Sequence, residues 1–322
     1  MIAYVLRKLL AAIPLVWGVL TLTFVLIELA PGNAADAFVN PTMTPETVSV
    51  IRAKWGLDRP PLERYLVELG TMARGDFGRS LTLGRPVAEV ILETLPNTLQ
   101  LSLVTFLVSQ LVGLSTGLIQ SLKQHSITDS LLSVLTLGLY SVPAFWLALM
   151  LQLLFCLHWN VLPSSGMTDP VRYAYLGPLD QLLDRAKHLV LPGVVMGFAS
   201  AGGEARLMRS SMLEVVRQDF IRTARAKGLP EWKVVLKHAL RNALLPVVTM
   251  TGLSLPLFFS GSVLVEYAFA WPGMGRLIVT AIQSQDTPVI LGCFFVYTLL
   301  VVAGNLFADL VYALIDPRIR LE

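Results

Sequence analysis

The sequence predicts an all-α polytopic membrane protein with six transmembrane helices and both termini in the cytoplasm. Three observations lead there. Of 322 residues, 54% are apolar and only 15% charged, too few polar side chains to coat a soluble globule of this size. The apolar residues gather into stretches of about 20, the length a helix needs to cross a hydrocarbon core roughly 30 Å thick. Lys and Arg crowd into alternate connections, the bias that marks cytoplasmic loops.

The stretches poor in charge are Leu9 to Leu29, Thr98 to Leu122, Leu131 to Leu157, Leu189 to Ala205, Ala243 to Val265 and Val289 to Leu314. They must be helical, because backbone in lipid has to satisfy its own hydrogen bonds and the alternation of closed-barrel strands is absent. The fourth is the weakest: it is short, carries Gly193, Gly197, Gly202 and Gly203, and runs into Glu204. Arg7 and Lys8 precede the first stretch, Lys123 separates the second from the third, and Arg318 and Arg320 follow the sixth. Nine basic residues, from Arg206 to Arg241, lie between the fourth and fifth. The connection from fifth to sixth holds Arg276 alone, and that from third to fourth holds three. The segment from Pro31 to Pro96 has seven basic and eight acidic residues and is expected outside. The first stretch exceeds the roughly 7–15-residue core of a cleaved signal and is expected to stay as a helix. The expected organisation is an N-terminus and first helix in 1–30, an external segment in 31–96, a helical core in 97–316 containing a cytoplasmic loop at 206–242, and a cytoplasmic tail in 317–322.

Motifs for chemistry are sparse. Gly113-Leu114-Ser115-Thr116-Gly117 matches a nucleophile pattern, but it sits inside a membrane stretch with no strand-to-helix turn and no supporting histidine. Gly113 and Gly117 are better read as a pair that lets two helices approach, as are Gly193 and Gly197. His125, His158, His188 and His238 are scattered singly, and Cys156 and Cys293 have no metal-binding spacing, so no metal site is expected. No phosphate-binding G-x-x-x-x-G-K-[ST] loop occurs, so an ATPase, if one drives this chain, has to be a partner. The second and third stretches contain no ionisable group, and Glu28, Glu266 and Asp309 fall toward the ends of theirs, which disfavours a proton- or ion-coupled carrier. An intramembrane hydrolase would need paired catalytic groups, and none is present.

The basic loop between the fourth and fifth stretches reads as folded. Met212 to Lys227 suits a helix, Gly228 a C-terminal cap, and Pro230 the first turn of a second helix. In that second helix Trp232, Val235, Leu236 and Ala239 are expected on one face and Lys233, Lys237 and Arg241 on another. A solvated positive loop, a grip on anionic lipid and a docking helix for a cytoplasmic partner all fit the charge. The capped break between two short helices favours docking, since a loop that only sets orientation has no need of a rigid corner.

"RTARAKGLPEW", from Arg222, with "HALRNALLPV" from His238, resembles the cytoplasmic EAA loop of permease subunits of bacterial ABC importers. Arg222 and Thr223 replace the first two motif positions, Ala224 and Gly228 are kept, and Leu240-Arg241 stands where Leu-Pro is common. This is the form found in the oligopeptide, dipeptide and nickel branch. "WGLDRP" from Trp55, "GDFGRS" from Gly75, "LPNTLQL" from Leu95, "SVPAFWLA" from Ser141, "LPSSG" from Leu162, "FAWPGMGR" from Phe269 and "DLVYALIDPRIR" from Asp309 extend the resemblance over nearly the whole chain. "APGN" at Ala30 to Asn33 is similar to the branch's PGD.

The resemblance implies a type I ABC importer permease fold and a B-type subunit, whose long external segment is called a scoop. It implies four kinds of surroundings: a second homologous permease, two cytoplasmic ATP-binding subunits holding ATP and Mg, an extracytoplasmic solute-binding protein, and the bacterial inner membrane. The chain itself is expected to be no enzyme, to carry no cofactor and to bind no nucleic acid. Ala224, Gly228 and Leu229 are expected to pack against an ATPase, Arg222, Arg225 and Lys227 to make polar contacts with it, and Thr223 and Pro230 to belong to the same coupling surface. "EYAFAWPGMG" is too broken to continue a helix; it reads either as an interfacial aromatic belt or as an outer gate at Glu266, Tyr267, Trp271 and Pro272. Di- or oligopeptides are the implied cargo, with nickel chelates, glutathione or sugars as alternatives on the same scaffold. A secondary carrier or channel is the alternative class.

Overall fold

The computed structural model describes residues 2–30, 46, 49–50, 53, 56, 58–259 and 263–315. Most of the expected external segment before Asp58, residues 260–262 of the fifth stretch and the tail 317–322 with Arg318 and Arg320 lie outside the described residues. Regular structure among the described residues is helical, with one isolated antiparallel bridge between Arg79 and Pro86.

In chain order the helices are α1 (Ile2–Leu29), α2 (Pro61–Met72), α3 (Val87–Leu122), α4 (Ile127–Ser141), α5 (Ala144–Leu151, continued by a π-helical Gln152–His158) and α6 (Pro178–Val216). There follow α7 (Asp219–Ala226), α8 (Glu231–Lys233, a π-helical Val234–Ala239, then Leu240–Phe259), α9 (Val263–Ala268), α10 (Met274–Gln283) and α11 (Thr287–Ile315). Among the described residues α1, α3 and α11 are each long and apolar enough to cross a membrane. The pair α4 and α5 is apolar enough together, but it bends by 103°. The third stretch is therefore not one straight helix. Pro143 supplies no N–H and forces the residue before it out of helical geometry, and Val142 is extended at φ −78°, ψ 129°. The fourth stretch lies within the 39-residue α6, a rod about 58 Å long at 1.5 Å per residue.

The chain divides into two compact units, residues 1–98 with 272–303 and residues 99–271 with 304–322. In the first, Leu20 and Phe24 of α1, Met72 of α2 and Leu291 of α11 form a core joined by Tyr65, Leu69 and Phe77. The Tyr65 and Thr21 hydroxyls lie 2.6 Å apart, tying α2 to α1. Asp286, between α10 and α11 and 1% exposed, accepts from Ser80 Oγ at 2.6 Å, Thr82 Oγ1 at 2.8 Å and Thr82 N–H at 3.0 Å.

In the second unit α6 is the shared neighbour. A Cβ on Gly113 would lie 2.5 Å from Glu204 Cβ, and one on Gly117 would lie 2.4 Å from the Ala205 carbonyl oxygen. A Cβ on Gly193 or Gly197 would lie 2.5 Å from Val104 or Val108. Both glycine pairs thus serve the same α3–α6 contact, each helix supplying the missing side chains at one end of it. Gly202 receives α4 in the same way, its imagined Cβ 2.9 Å from the Thr136 carbonyl.

Candidate functional site

The corner between α6 and α8, expected in the cytoplasm, is built on a small core. Ile221 and Ala224 of α7 are buried among Met208, Met212 and Val215 of α6 and Val234, Val235, Ala239, Ala243 and Val247 of α8. Three residues apart, Ile221 and Ala224 share the inward face of a two-turn helix. The expected helix from Met212 to Lys227 is in fact two: α6 runs on to Val216, and α7 starts at Asp219 after a turn at Arg217 and Gln218.

The end of α7 is set by backbone bonds. Gly228 N–H donates to the Arg225 carbonyl at 2.9 Å and Leu229 N–H to the Ala224 carbonyl at 3.4 Å, the paired bonds of a Schellman cap. Gly228 has φ +73°, and a Cβ there would meet nothing within 4 Å. Its glycine answers a dihedral demand and not a shortage of space. Pro230 then opens α8, its carbonyl accepting from Lys233 and Val234. Across the turn Arg225 Nη2 donates to Glu231 Oε1 at 2.7 Å and Nε to Oε2 at 3.2 Å. Those bonds hold the Glu231 carboxyl below the usual carboxylate range.

The expected coupling residues divide by direction. Arg222, Thr223, Arg225, Lys227, Gly228, Leu229 and Pro230 are on the exposed side. Arg222 faces Asp219 at 3.4 Å, and the Thr223 hydroxyl donates to the Asp219 carbonyl at 3.0 Å. Ala224, expected to pack on a partner, packs on its own chain at 6% exposure. The expected apolar face of α8 also splits. Val234–Ala239 is wound as a π-helix, with i→i+5 bonds. Val234, Val235 and Ala239 turn inward while Trp232 and Leu236 turn outward at 62% and 52% exposure. Phe220 and Leu229 are also exposed, as are Lys227, Lys233 and Lys237. Sequence reasoning missed Phe220 and the outward turn of Trp232 and Leu236. A lone tryptophan among basic residues in a loop was the available signal.

The candidate gate residues do not share one environment. In the second unit Glu266 and Trp271 are fully buried and Tyr267 is half-exposed. Trp271 packs with Phe269, Leu101, Leu189 and Val195, and its N–H donates to the Glu266 carbonyl at 2.8 Å. An aromatic belt would turn such a ring toward lipid, and this one faces inward. Pro272, in the first unit, accepts from Asn97 Nδ2 at 2.8 Å. A polar cluster that the sequence only hinted at joins α3, α6 and α8: the Thr251 hydroxyl is 3.3 Å from Glu204 Oε2 and 3.5 Å from Gln110 Oε1. Glu204 closes the fourth stretch, so its carboxylate was visible but its partners were not. Among the described residues no three His, Cys, Asp or Glu side chains converge as a metal site would need.

Residues 85–321 match the family described as the binding-protein-dependent transport system inner membrane component, and residues 1–102 match its N-terminal membrane component. The chain belongs to this family. It is accordingly an ABC importer permease, a multi-pass component of the cytoplasmic membrane. The oligopeptide transport system permease protein AppB of Bacillus subtilis is 39% identical over 99% of this permease and 100% of its own length. The dipeptide transport system permease protein DppB of Escherichia coli K12 is 35% identical over 99% of each. An inward-facing structure of the MetNI methionine ABC transporter matches 70% of the permease and 96% of its own chain, with a TM-score of 0.56 at 17% identity. At that identity the likeness concerns the fold alone.

Proposed function

We propose that this chain is a permease subunit of an ATP-driven importer and forms, with a second homologous permease, the path for di- or oligopeptides delivered by an extracytoplasmic solute-binding protein. The observation that carries the reading is the full-length similarity to relatives named as oligopeptide and dipeptide permeases, joined to a capped cytoplasmic corner with an outward apolar surface. Six membrane crossings with both termini inside complete the proposal. In it α6 and α8 serve as the fourth and fifth crossings, and the pair α4 and α5 as the third.

ATP and Mg belong to two cytoplasmic subunits that dock on the corner. Phe220, Leu229, Trp232 and Leu236 supply the buried contact, and Arg222 and Lys227 the polar rim, the usual arrangement of a protein interface. Closure of those subunits on ATP pushes the corner. A flexible loop would absorb that displacement; the Schellman cap and the Arg225–Glu231 fork pass it to α6 and α8. The two permeases then alternate between inward- and outward-facing states. Tyr267 and the turn at Trp271 and Pro272 act near the outer mouth, and the segment 31–96 meets the binding protein.

The test is reconstitution of the complex in vesicles with its binding protein and ATP. Uptake of labelled di- or oligopeptides that stops without ATP supports the reading. Uptake of glutathione, a nickel chelate or a sugar instead would replace the cargo, and uptake without any ATPase subunit would remove the importer assignment.

A further inference from the structure

Asp129 and Arg209 lie 80 residues apart in sequence and meet as a two-pronged pair: Arg209 Nε donates to Asp129 Oδ1 at 3.1 Å and Nη2 to Oδ2 at 2.9 Å. The Asp129 side chain is 7% exposed and that of Arg209 31%, so the pair is largely out of water. Its position is fixed from both sides. Asp129 sits in the first turn of α4, where its backbone N–H donates to the capping Ser126 Oγ at 3.2 Å and its Oδ2 also accepts from His125 N–H at 3.0 Å. Arg209 follows Met208 and precedes Met212, two residues of α6 that are 0% exposed and hold α7 of the corner.

The contact continues along both helices. The Arg206 guanidinium lies over the Tyr140 ring at 5.1 Å, and Gly202 admits the Thr136 carbonyl of α4. Three successive turns of α6 are thus fastened to the whole of α4, and α4 ends at the 103° bend before α5. The close packing at Gly202 fixes α4 at one turn of α6 only. A forked charge pair permits one register, because a shift of one turn leaves a buried carboxylate without its partner.

We propose that Asp129 and Arg209 are positioning residues for transport, a strut that locks α4 to α6 so that displacement of the corner reaches the α4–α5 bend. This rests on the reading of the Gly228 corner as the ATPase contact. The strut makes the coupling element a rigid body comprising α4, α6 and α7, and leaves the hinge at Val142 and Pro143.

Two measurements test the strut, and the first does not depend on the ATPase. Spin labels at Val134 on α4 and Ser210 on α6, in the full chain in vesicles, report the register. Arg209→Ala should broaden or shift their distance distribution, and Asp129→Arg with Arg209→Asp should narrow it again; an unchanged distribution in Arg209→Ala overturns the strut. In the reconstituted complex, Arg209→Ala should retain its ATPase subunits and their hydrolysis while uptake per ATP falls about ten-fold or more. The reciprocal exchange should recover a substantial part of that loss; a merely structural defect would instead lower assembly and hydrolysis along with uptake. Equal losses of hydrolysis and uptake, or no recovery in an exchange variant that assembles fully, overturn the proposal. Failure of the unsubstituted chain to retain any ATPase would instead remove the corner reading and leave the label distances to decide the strut.

Discussion

Arg225 grips Glu231 with two hydrogen bonds, 2.7 and 3.2 Å, across the single left-handed residue Gly228. Both partners are exposed, so the fork adds less than about 1 kcal/mol to stability. Its consequence is geometric: it closes the angle between α7 and α8 that the cap begins. Because Gly228 has open space around it, its requirement is for φ and not for size. Gly228→Ala should therefore lower uptake per ATP through about 1–2 kcal/mol of backbone strain. Gly228→Asn, which is larger but tolerates the left-handed region, should be milder. A series that tracked side-chain volume instead would contradict this account; coupled uptake and hydrolysis in vesicles would decide.

The α3–α6 contact makes a second pair of opposed expectations. At Gly117 an added Cβ lies 2.4 Å from the Ala205 carbonyl oxygen and 2.7 Å from Met208 Cβ, whereas at Gly203 nothing lies within 4 Å. Gly117→Ala should destabilise by about 1–3 kcal/mol through overpacking. Gly203→Ala should be neutral or stabilise by up to about 1 kcal/mol through helix propensity. Thermal unfolding in detergent, read by tryptophan fluorescence, would rank the two.

Glu68 makes the helix α2 sensitive to pH. Burial pushes its carboxyl up to about 7; Arg64 pulls it down, and Glu28, which pairs with Arg64, adds to the rise. The folded value exceeds the unfolded one, 4.5, so the contribution to stability is complete below about 4.5 and is lost as pH rises through about 7. Midpoints of unfolding should decline as pH rises from 4.5 to about 7 and level off above. Glu68→Gln should flatten that slope and raise the midpoint at pH 8, and a variant with the parental slope would reject Glu68 as its source.

Much of this was legible in the sequence because the signals were local. Charge-poor stretches, a basic loop, and Gly228 followed by Pro230 each act within a few residues, and the glycine pairs announced a close helix contact. What was hidden depended on tertiary structure. Packing turned Val234, Val235 and Ala239 inward and left Trp232 and Leu236 on the surface, a choice between overlapping helix faces that the local pattern does not encode. Arg209 was counted only as one more cytoplasmic charge, since nothing near it in sequence names Asp129. The bend at Val142 lay between these cases: Pro143 signalled it, but the apolar run through it looked continuous.

The outward turn of Trp232 and Leu236 yields the sharpest expectation for partner binding. They are exposed among charged side chains such as Lys233, Lys237 and Glu231, and large apolar side chains so placed are where interface energy concentrates. Trp232→Ala should weaken retention of the ATP-binding subunits by about 2–4 kcal/mol, and Leu236→Asp should do the same by burying a charge. Val235→Ala, a small change on the inward face, should leave retention nearly intact while lowering thermal stability by about 1 kcal/mol. Affinity purification of the complex from membranes, with stability measured in parallel, separates the two faces. Loss of partner retention in Val235→Ala with full retention in Trp232→Ala would reverse the assignment of the face that docks.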